Sequence, residues 1–317
     1  MQSDRAPGSP SKPEASRRVA AIEAGGTKVV CAFGTGPNEV WERCRIPTTS
    51  PAEVTDRLIA FFRDAFDKHG PPDAFAVVTF GPVDLRDPES AGYGAIMKTP
   101  KAGWEGAHWL DPIRKHFPGI PVAIDTDVNG AALGELEWGA ARGLSSVVYL
   151  TVGTGIGGGI VADGNPIHGV LHPEVGHMRL PRTEEDRAAF AGGCPFHGDC
   201  LEGLASGPAI QKRWGLPAEE LPDDHEAWEH VTDAMAWACV NLACVVSPQR
   251  IIIGGGVYQR ETLFPRLRAQ VAARLNGYID VPEIIEGMDG YIVPPGLGQD
   301  AGLFGAMALG RRVFDPK

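Results

Sequence analysis

The sequence predicts an α/β protein built as two similar lobes with a cleft between them, and three observations carry that prediction. A strand, a glycine turn and a second strand occur at residues 19–33 and again at 147–161. Each unit is followed by apolar runs of strand length alternating with segments of helical period, the sequence form of an α/β fold. The chain has 317 residues, enough to bury two cores.

Order is expected to begin at Val19. VAAIEA (19–24) reads as a buried strand, GGTK (25–28) as a tight turn and VVCAF (29–33) as the returning strand. Residues 54–69 place Leu58, Ile59, Phe61, Phe62 and Phe66 on one side of a helix, and Gly70-Pro71-Pro72 stops it. AFAVVTF (74–80) is a strand that enters the loop Gly81-Pro82-Val83-Asp84; a polar, glycine-rich stretch at 98–104 then precedes a short helix near 109–117. IPVAID (120–125) is a strand, after which the chain turns at Asp127-Val128-Asn129 into a helix ending near Gly143. Residues 147–152 form a strand, GTGIGGG (153–159) a loop, and GIVADG (159–164) a second strand with a turn. A long helix at 226–246 turns Trp228, Val231, Met235, Cys239 and Leu242 to a common side. RIIIGGGV (250–257) is a strand running into a glycine loop, 261–275 a helix, and 301–313 an apolar C-terminal helix.

Composition narrows the function classes. Hydrophobic residues at 43% and charged residues at 22% are ordinary for a globular enzyme. A net charge of −11 argues against a general nucleic-acid surface, so any phosphate must be held by local backbone amides and a few cations. No apolar run approaches the ~20 residues of a membrane span. Residues 1–18 are polar and lack the apolar centre of a signal peptide, which reads as a disordered tail on a cytoplasmic protein.

The most informative stretch is 172–208, HPEVGHMRLPRTEEDRAAFAGGCPFHGDCLEGLASGP. Cys194, His197 and Cys200 follow a C-x-x-H-x-x-C spacing, with His177 upstream. Two thiolates and two imidazoles meet the needs of a closed tetrahedral zinc site. The alternative, a Cys194–Cys200 disulfide, fits poorly with six cysteines and a reducing compartment. A metal-pinned turn would fix its flanks, where Glu174 and Glu202 could hold the hydroxyls of a sugar.

Three glycine loops follow strands: Gly25-Gly26-Thr27-Lys28, Gly153-Thr154-Gly155 with Ile156-Gly157-Gly158, and Gly254-Gly255-Gly256. Glycine lets backbone N–H groups approach phosphate oxygens, and Thr27 and Thr154 add hydroxyls at corresponding places. Gly153, Gly155 and Gly158 also match the dinucleotide fingerprint G-x-G-x-x-G. That motif requires a helix next, and here a strand follows, which argues against a Rossmann dehydrogenase. Asp127, just past a strand and at a helix start, is the candidate general base. The same position would suit a helix cap, for Asp127 or Asn129, and Asp125 competes for either role.

In order, IEAGGTK, FGPVD, TPKAGW, DTDVNGAALGE, TVGTGIGGGI, HPEVGHM, CPFHGDCLEGLASGPAI, IIIGGGV and YIVPPGLG resemble the fructokinase branch of the ROK sugar-kinase family. The resemblance runs from about Val19 to the C-terminal helix. It implies the two-lobed actin-like ATPase (ribonuclease H-like) fold. The small lobe would be 19–127 joined by the C-terminal helix (298–317), and the large lobe 128–297 with the zinc segment. It also implies an ATP-dependent hexose kinase that phosphorylates the 6-hydroxyl of D-fructose, with ATP, Mg²⁺ and Zn²⁺ as cofactors. Asp127 would be the catalytic base, and Asn129, Glu174, His177 and Glu202 the sugar ligands. Gly25, Gly26, Thr27, Lys28, Thr154, Gly155, Pro208, Gly254, Gly255, Gly256 and Val257 would meet ATP. Zinc would sit on His177, Cys194, His197 and Cys200.

Glu23 stands where the wider family has Asp, Pro173 where it has Gly, and His197 where a cysteine is commoner. A kinase preferring glucose or mannose is one alternative. A sugar-sensing regulator without catalysis is another, but it would carry a helix-turn-helix domain in front, which eighteen polar residues are not expected to supply. The partners expected are the sugar and ATP, with no nucleic acid or membrane; a homodimer is left open.

Overall fold

A computed structural model describes residues 17–99 and 101–314. Two five-stranded mixed sheets make up its frame. The first contains β1 (Val19–Ala24), β2 (Lys28–Gly36), β3 (Glu39–Pro47), β4 (Ala74–Thr79) and β5 (Val122–Thr126). The second contains β6 (Val147–Val152), β7 (Ile156–Ala162), β8 (Asn165–Pro166), β9 (Arg250–Gly254) and β10 (Ile292–Val293). Strand order is β3-β2-β1-β4-β5 in the first and β8-β7-β6-β9-β10 in the second. In each, the first strand is antiparallel to the second and parallel to the fourth. The sheets therefore repeat one topology, the physical content of the twofold strand–glycine–strand echo in the sequence.

The helices are α1 (Pro51–His69), α2 (Leu110–His116), α3 (Asp127–Glu137), α4 (Glu184–Ala189), α5 (Leu201–Ala205), α6 (Gly207–Trp214), α7 (Ala227–Val246) and α8 (Leu263–Leu275). Two single-turn helices, α9 (Pro282–Ile285) and α10 (Met288–Tyr291), and then α11 (Ala301–Arg312) complete the set. Side chains alternate across β1: Ala20, Ile22 and Ala24 enter a cluster with Leu58 and Phe62 of α1, while Val19 and Ala21 pack on Leu303 and Met307 of α11. Buried on both faces, β1 reads as an unbroken apolar run. On the other sheet, Ala131 and Leu133 of α3 pack with Val147, Tyr149 and Ile252, and the far face is covered by α7 and α8. Helices α3 and α11 thus lie between the sheets and touch closely. A Cβ on Gly134 would come within 2.8 Å of the Gly305 nitrogen.

Several local expectations are corrected. β3 was not anticipated; its charged sequence, EVWERCRIP, is mostly exposed or half-buried. α1 begins at Pro51, three residues early, because Ser50 accepts the Glu53 N–H as its cap. α3 ends at Glu137 instead of near Gly143, since Glu135 folds back to take the Ala140 N–H at 2.6 Å. Residues 156–158 belong to β7, not to a loop. Arg17 and Arg18, placed in the tail, are anchored: Arg17 Nη1 donates to the Arg311 carbonyl at 2.7 Å and the Arg18 N–H to Asp73 at 2.8 Å. The rest of that tail, residues 1–16, lies outside the described residues.

Candidate active site

The parallel strands of the first sheet end together. Ala24, Thr79 and Thr126 are register partners, so the loops after β1, β4 and β5 leave from one edge. In the second sheet, β6 and β9 end together near Val152 and Gly254, where their glycine loops begin. Crevices at such carboxyl ends are where α/β folds bind ligands.

Asp127 is the first residue of α3, and the cap is Thr126, whose hydroxyl accepts the Asn129 N–H at 3.2 Å. The capping role open to Asp127 or Asn129 is therefore filled by the residue between the two aspartates. The Asp127 carboxylate accepts the Val128 N–H, at 2.9 Å. Burial pushes its pKa up to about 7, with the charge of Glu174 adding to the rise. Glu23 is likewise pushed to about 7, by burial first and then by Asp127. Asp125 is 3% exposed and already engaged: Oδ1 accepts from the Thr126 N–H at 2.7 Å, Asn129 Nδ2 at 2.8 Å and His168 Nε2 at 3.1 Å. It is a support for its neighbours, whereas the Asp127 carboxylate is less engaged. Asn129 is fully buried, and among the described residues its Oδ1 has no hydrogen-bond partner.

Gly25, Gly26, Thr27 and Lys28 form the β1–β2 turn, closed by the Gly25 N–H to the Lys28 carbonyl at 2.9 Å. Thr48 and Lys101 brace it, the Thr48 hydroxyl on the Gly25 carbonyl at 2.8 Å and Lys101 Nζ on the Gly26 carbonyl at 2.6 Å. Gly153, Thr154 and Gly155 form the corresponding β6–β7 turn. Because β7 runs antiparallel to β6, the G-x-G-x-x-G match is a hairpin and not a strand–helix crossover. Gly207, at the start of α6, donates its N–H to the Gly153 carbonyl at 2.8 Å, which brings Pro208 alongside.

A cleft of about 980 Å³ opens here, lined by Thr154, Pro208, Gly256 and Val257 of the predicted nucleotide residues. Gly155, Gly254 and Gly255 lie behind this lining and shape the backbone. Gly255 has φ +91°, and a Cβ there would reach 2.4 Å from the Val152 nitrogen and oxygen. The far wall was not predicted: Arg260 stacks over Trp228 at 4.4 Å and pairs with Asp223. Trp228 looked like one more apolar residue of α7.

His177, Cys194, His197 and Cys200 converge, their ligating atoms all within 4.8 Å of one another. Cys194 and Cys200 are free thiols, which removes the disulfide alternative. His177 Nδ1 lies 3.5 Å from Cys200 Sγ and 3.8 Å from Cys194 Sγ; His197 Nδ1 is 3.8 Å from Cys194 Sγ. A tetrahedron with Zn–S of ~2.3 Å and Zn–N of ~2.0 Å has N···S edges of ~3.6 Å. The donor set and its spacing fit that ion. Asp199, just before Cys200, gathers Arg179, Arg182 and Arg187 and ties the knuckle to α4.

Glu202 and Glu174 flank this knuckle. Glu202 Oε2 accepts the Ile156 N–H at 3.0 Å, linking α5 to the β6–β7 hairpin. Glu174 is held above its ordinary pKa by burial and then by the charge of Glu202. His168 and His172 are the residues that sequence reasoning passed over. His168 is raised by its bond to Asp125, whereas burial lowers His172. The signal for His172 was its place in HPE, two residues before Glu174.

A family model, the ROK family, matches residues 19–313. The fructokinase of Pediococcus pentosaceus is 43% identical over 93% of this chain and 98% of its own length. The fructokinase of Zymomonas mobilis is 43% identical over 91% and 94%. The crystal structure of the ROK hexokinase from Thermus thermophilus superposes with a TM-score of 0.76 at 26% identity, covering 95% of this chain and all of that one. Among the described residues no helix is long and apolar enough to cross a membrane.

Proposed function

The chain belongs to the ROK family, and we propose that it is an ATP-dependent fructokinase that transfers the γ-phosphoryl group to the 6-hydroxyl of D-fructose. The observation that carries the reading is Asp127. It is not the helix cap, is pushed to about 7 by burial, and stands at the sheet edge from which the Gly25–Lys28 turn also leaves. A base with a pKa near the working pH combines the ionised form with useful basicity. Asp127 accepts the hydroxyl proton as the sugar oxygen bonds to the γ-phosphorus and the bond to the ADP oxygen breaks, leaving sugar phosphate, ADP and a proton. Fructose in preference to other hexoses is supported by the names of the relatives at 43% identity.

Residues 19–127 with the C-terminal helix are read as the small lobe and 128–297 as the large one, with reaction at their junction. Gly25–Lys28 and Thr154 offer N–H and hydroxyl donors to the phosphates, and the wall formed by Trp228 and Arg260 suits the base of the nucleotide. Asn129, Glu174, His177 and Glu202 hold the sugar; the unpartnered Asn129 Oδ1 suits a hydroxyl donor. Mg²⁺ would be carried with ATP and neutralise phosphate charge, with Glu23 and Asp127 as the nearby acids. Zinc on His177, Cys194, His197 and Cys200 would be structural, since four protein ligands leave no open position.

The test is kcat/KM for fructose, glucose and mannose in an ATP-coupled assay. Fructose should lead. Turnover of glucose without fructose would sink the sugar assignment and leave the kinase, and no ATP consumption with any hexose would sink both.

A further inference from the structure

His172 joins the loop after β4 to the carboxylate of Glu174, a connection that the proposed chemistry leaves unused. Its ring is buried, 8% exposed. The Val83 N–H, in the loop following β4, donates to Nε2 at 3.3 Å. A ring nitrogen that accepts carries no proton, so the neutral imidazole has its hydrogen on Nδ1. Nδ1 lies 3.4 Å from Glu174 Oε1. The ring also presses on the loop itself: a Cβ on Gly81 would sit 3.2 Å from His172 Cε1. Only a glycine leaves that approach unhindered.

We propose that His172 is a positioning residue that fixes the Glu174 carboxylate for the sugar by tying it to the Val83 amide. Sugar affinity then depends on the loop after β4 as well as on the zinc-bearing segment. The proposal rests on the reading of Glu174 as a sugar ligand. It gives a chemical reason for a histidine two residues before that glutamate, where an apolar residue would fill the space but orient nothing.

A double-mutant cycle tests it, using the full chain with fructose and ATP. His172→Leu should raise the KM for fructose about tenfold, with kcat changed by less than about threefold and the KM for ATP unchanged. His172→Gln, which can again accept from Val83 and donate to Glu174, should recover most of the loss. In a Glu174→Gln background, His172→Leu should add little, since there is no carboxylate left to orient. Gly81→Ala covers the case in which His172→Leu does not fold. It should raise the fructose KM in the same direction by crowding an intact ring.

Equal effects of His172→Leu in both backgrounds overturn the proposal, as does a matching rise in the KM for ATP. A damaging Glu174→Gln beside silent His172→Leu and Gly81→Ala variants refutes the positioning role alone. A silent Glu174→Gln removes the sugar assignment of Glu174 and the proposal with it.

Discussion

Replacing Asp127 by Asn should separate catalysis from stability, because the two roles open to this position fall on different residues. Thr126 caps α3 through its hydroxyl, so Asp127→Asn leaves the helix start intact. Loss of the base should lower kcat about 10²–10⁴-fold. The mutation should also stabilise the fold at pH 8. Burial shifts the Asp127 pKa from 3.8 to about 7, so the folded state disfavours ionisation. The sign follows: stability falls as pH rises from about 4 to about 7, and above that range the full cost remains. Fully expressed, the cost would be about 4 kcal/mol. Asp127 is only half-buried, which reduces a neutral replacement's gain to about 1–2 kcal/mol, or about 2–8 °C in Tm. Thr126→Ala should behave oppositely, losing about 1 kcal/mol of stability while keeping most of its kcat. The assays are ATP-coupled turnover with saturating fructose and a melting curve at pH 8. A folded Asp127→Asn protein with more than about a tenth of parent kcat would refute the base assignment. A lowered Tm would refute the argument from burial.

Three further outcomes follow from the same geometry. The kcat/KM for fructose should fall as pH drops through about 7, because Asp127 must be ionised to accept a proton; a flat profile from pH 6 to 9 would contradict this. Elemental analysis should find about one zinc per chain, and Cys194→Ser should release it. Cys194→Ser should lower kcat/KM for fructose about tenfold or more by loosening Glu174 and Glu202, with less change in the KM for ATP. Full fructose affinity and Tm in metal-free protein would count against the zinc. Gly255→Ala should destabilise by about 2–3 kcal/mol or more, from its left-handed φ and its overlap with Val152. Gly256→Ala, whose Cβ meets nothing within 4 Å, should leave Tm unchanged.

The repeated sheet was legible because β1 and β6 are buried on both faces and therefore read as apolar runs broken by glycine. β3 was hidden because an edge strand facing solvent needs no apolar pattern, and Glu42, Arg43 and Arg45 gave it none. Around Asp127 the sequence offered three oxygen-bearing side chains in a row, and all three can cap or bond locally. Only the extended backbone of Thr126 (φ −70°, ψ 153°) settles which one does. The set His177, Cys194, His197 and Cys200 was written in short spacing, and the four side chains do converge. The wall formed by Trp228, Arg260 and Asp223 was not, because packing of α7 against the loop after β9 creates it. His172 was in plain view, but its meaning depends on Val83, 89 residues away.

The measurement that bears most directly on the central claim is the identity of the product. The protein should be incubated with Mg-ATP and fructose, and the phosphorylated sugar examined by proton–phosphorus correlation NMR. The account predicts phosphorus coupled to the C6 methylene protons of fructose, one ADP formed per sugar phosphate, and loss of both in Asp127→Asn. Phosphate on another carbon, or ADP released without any sugar phosphate, would contradict it.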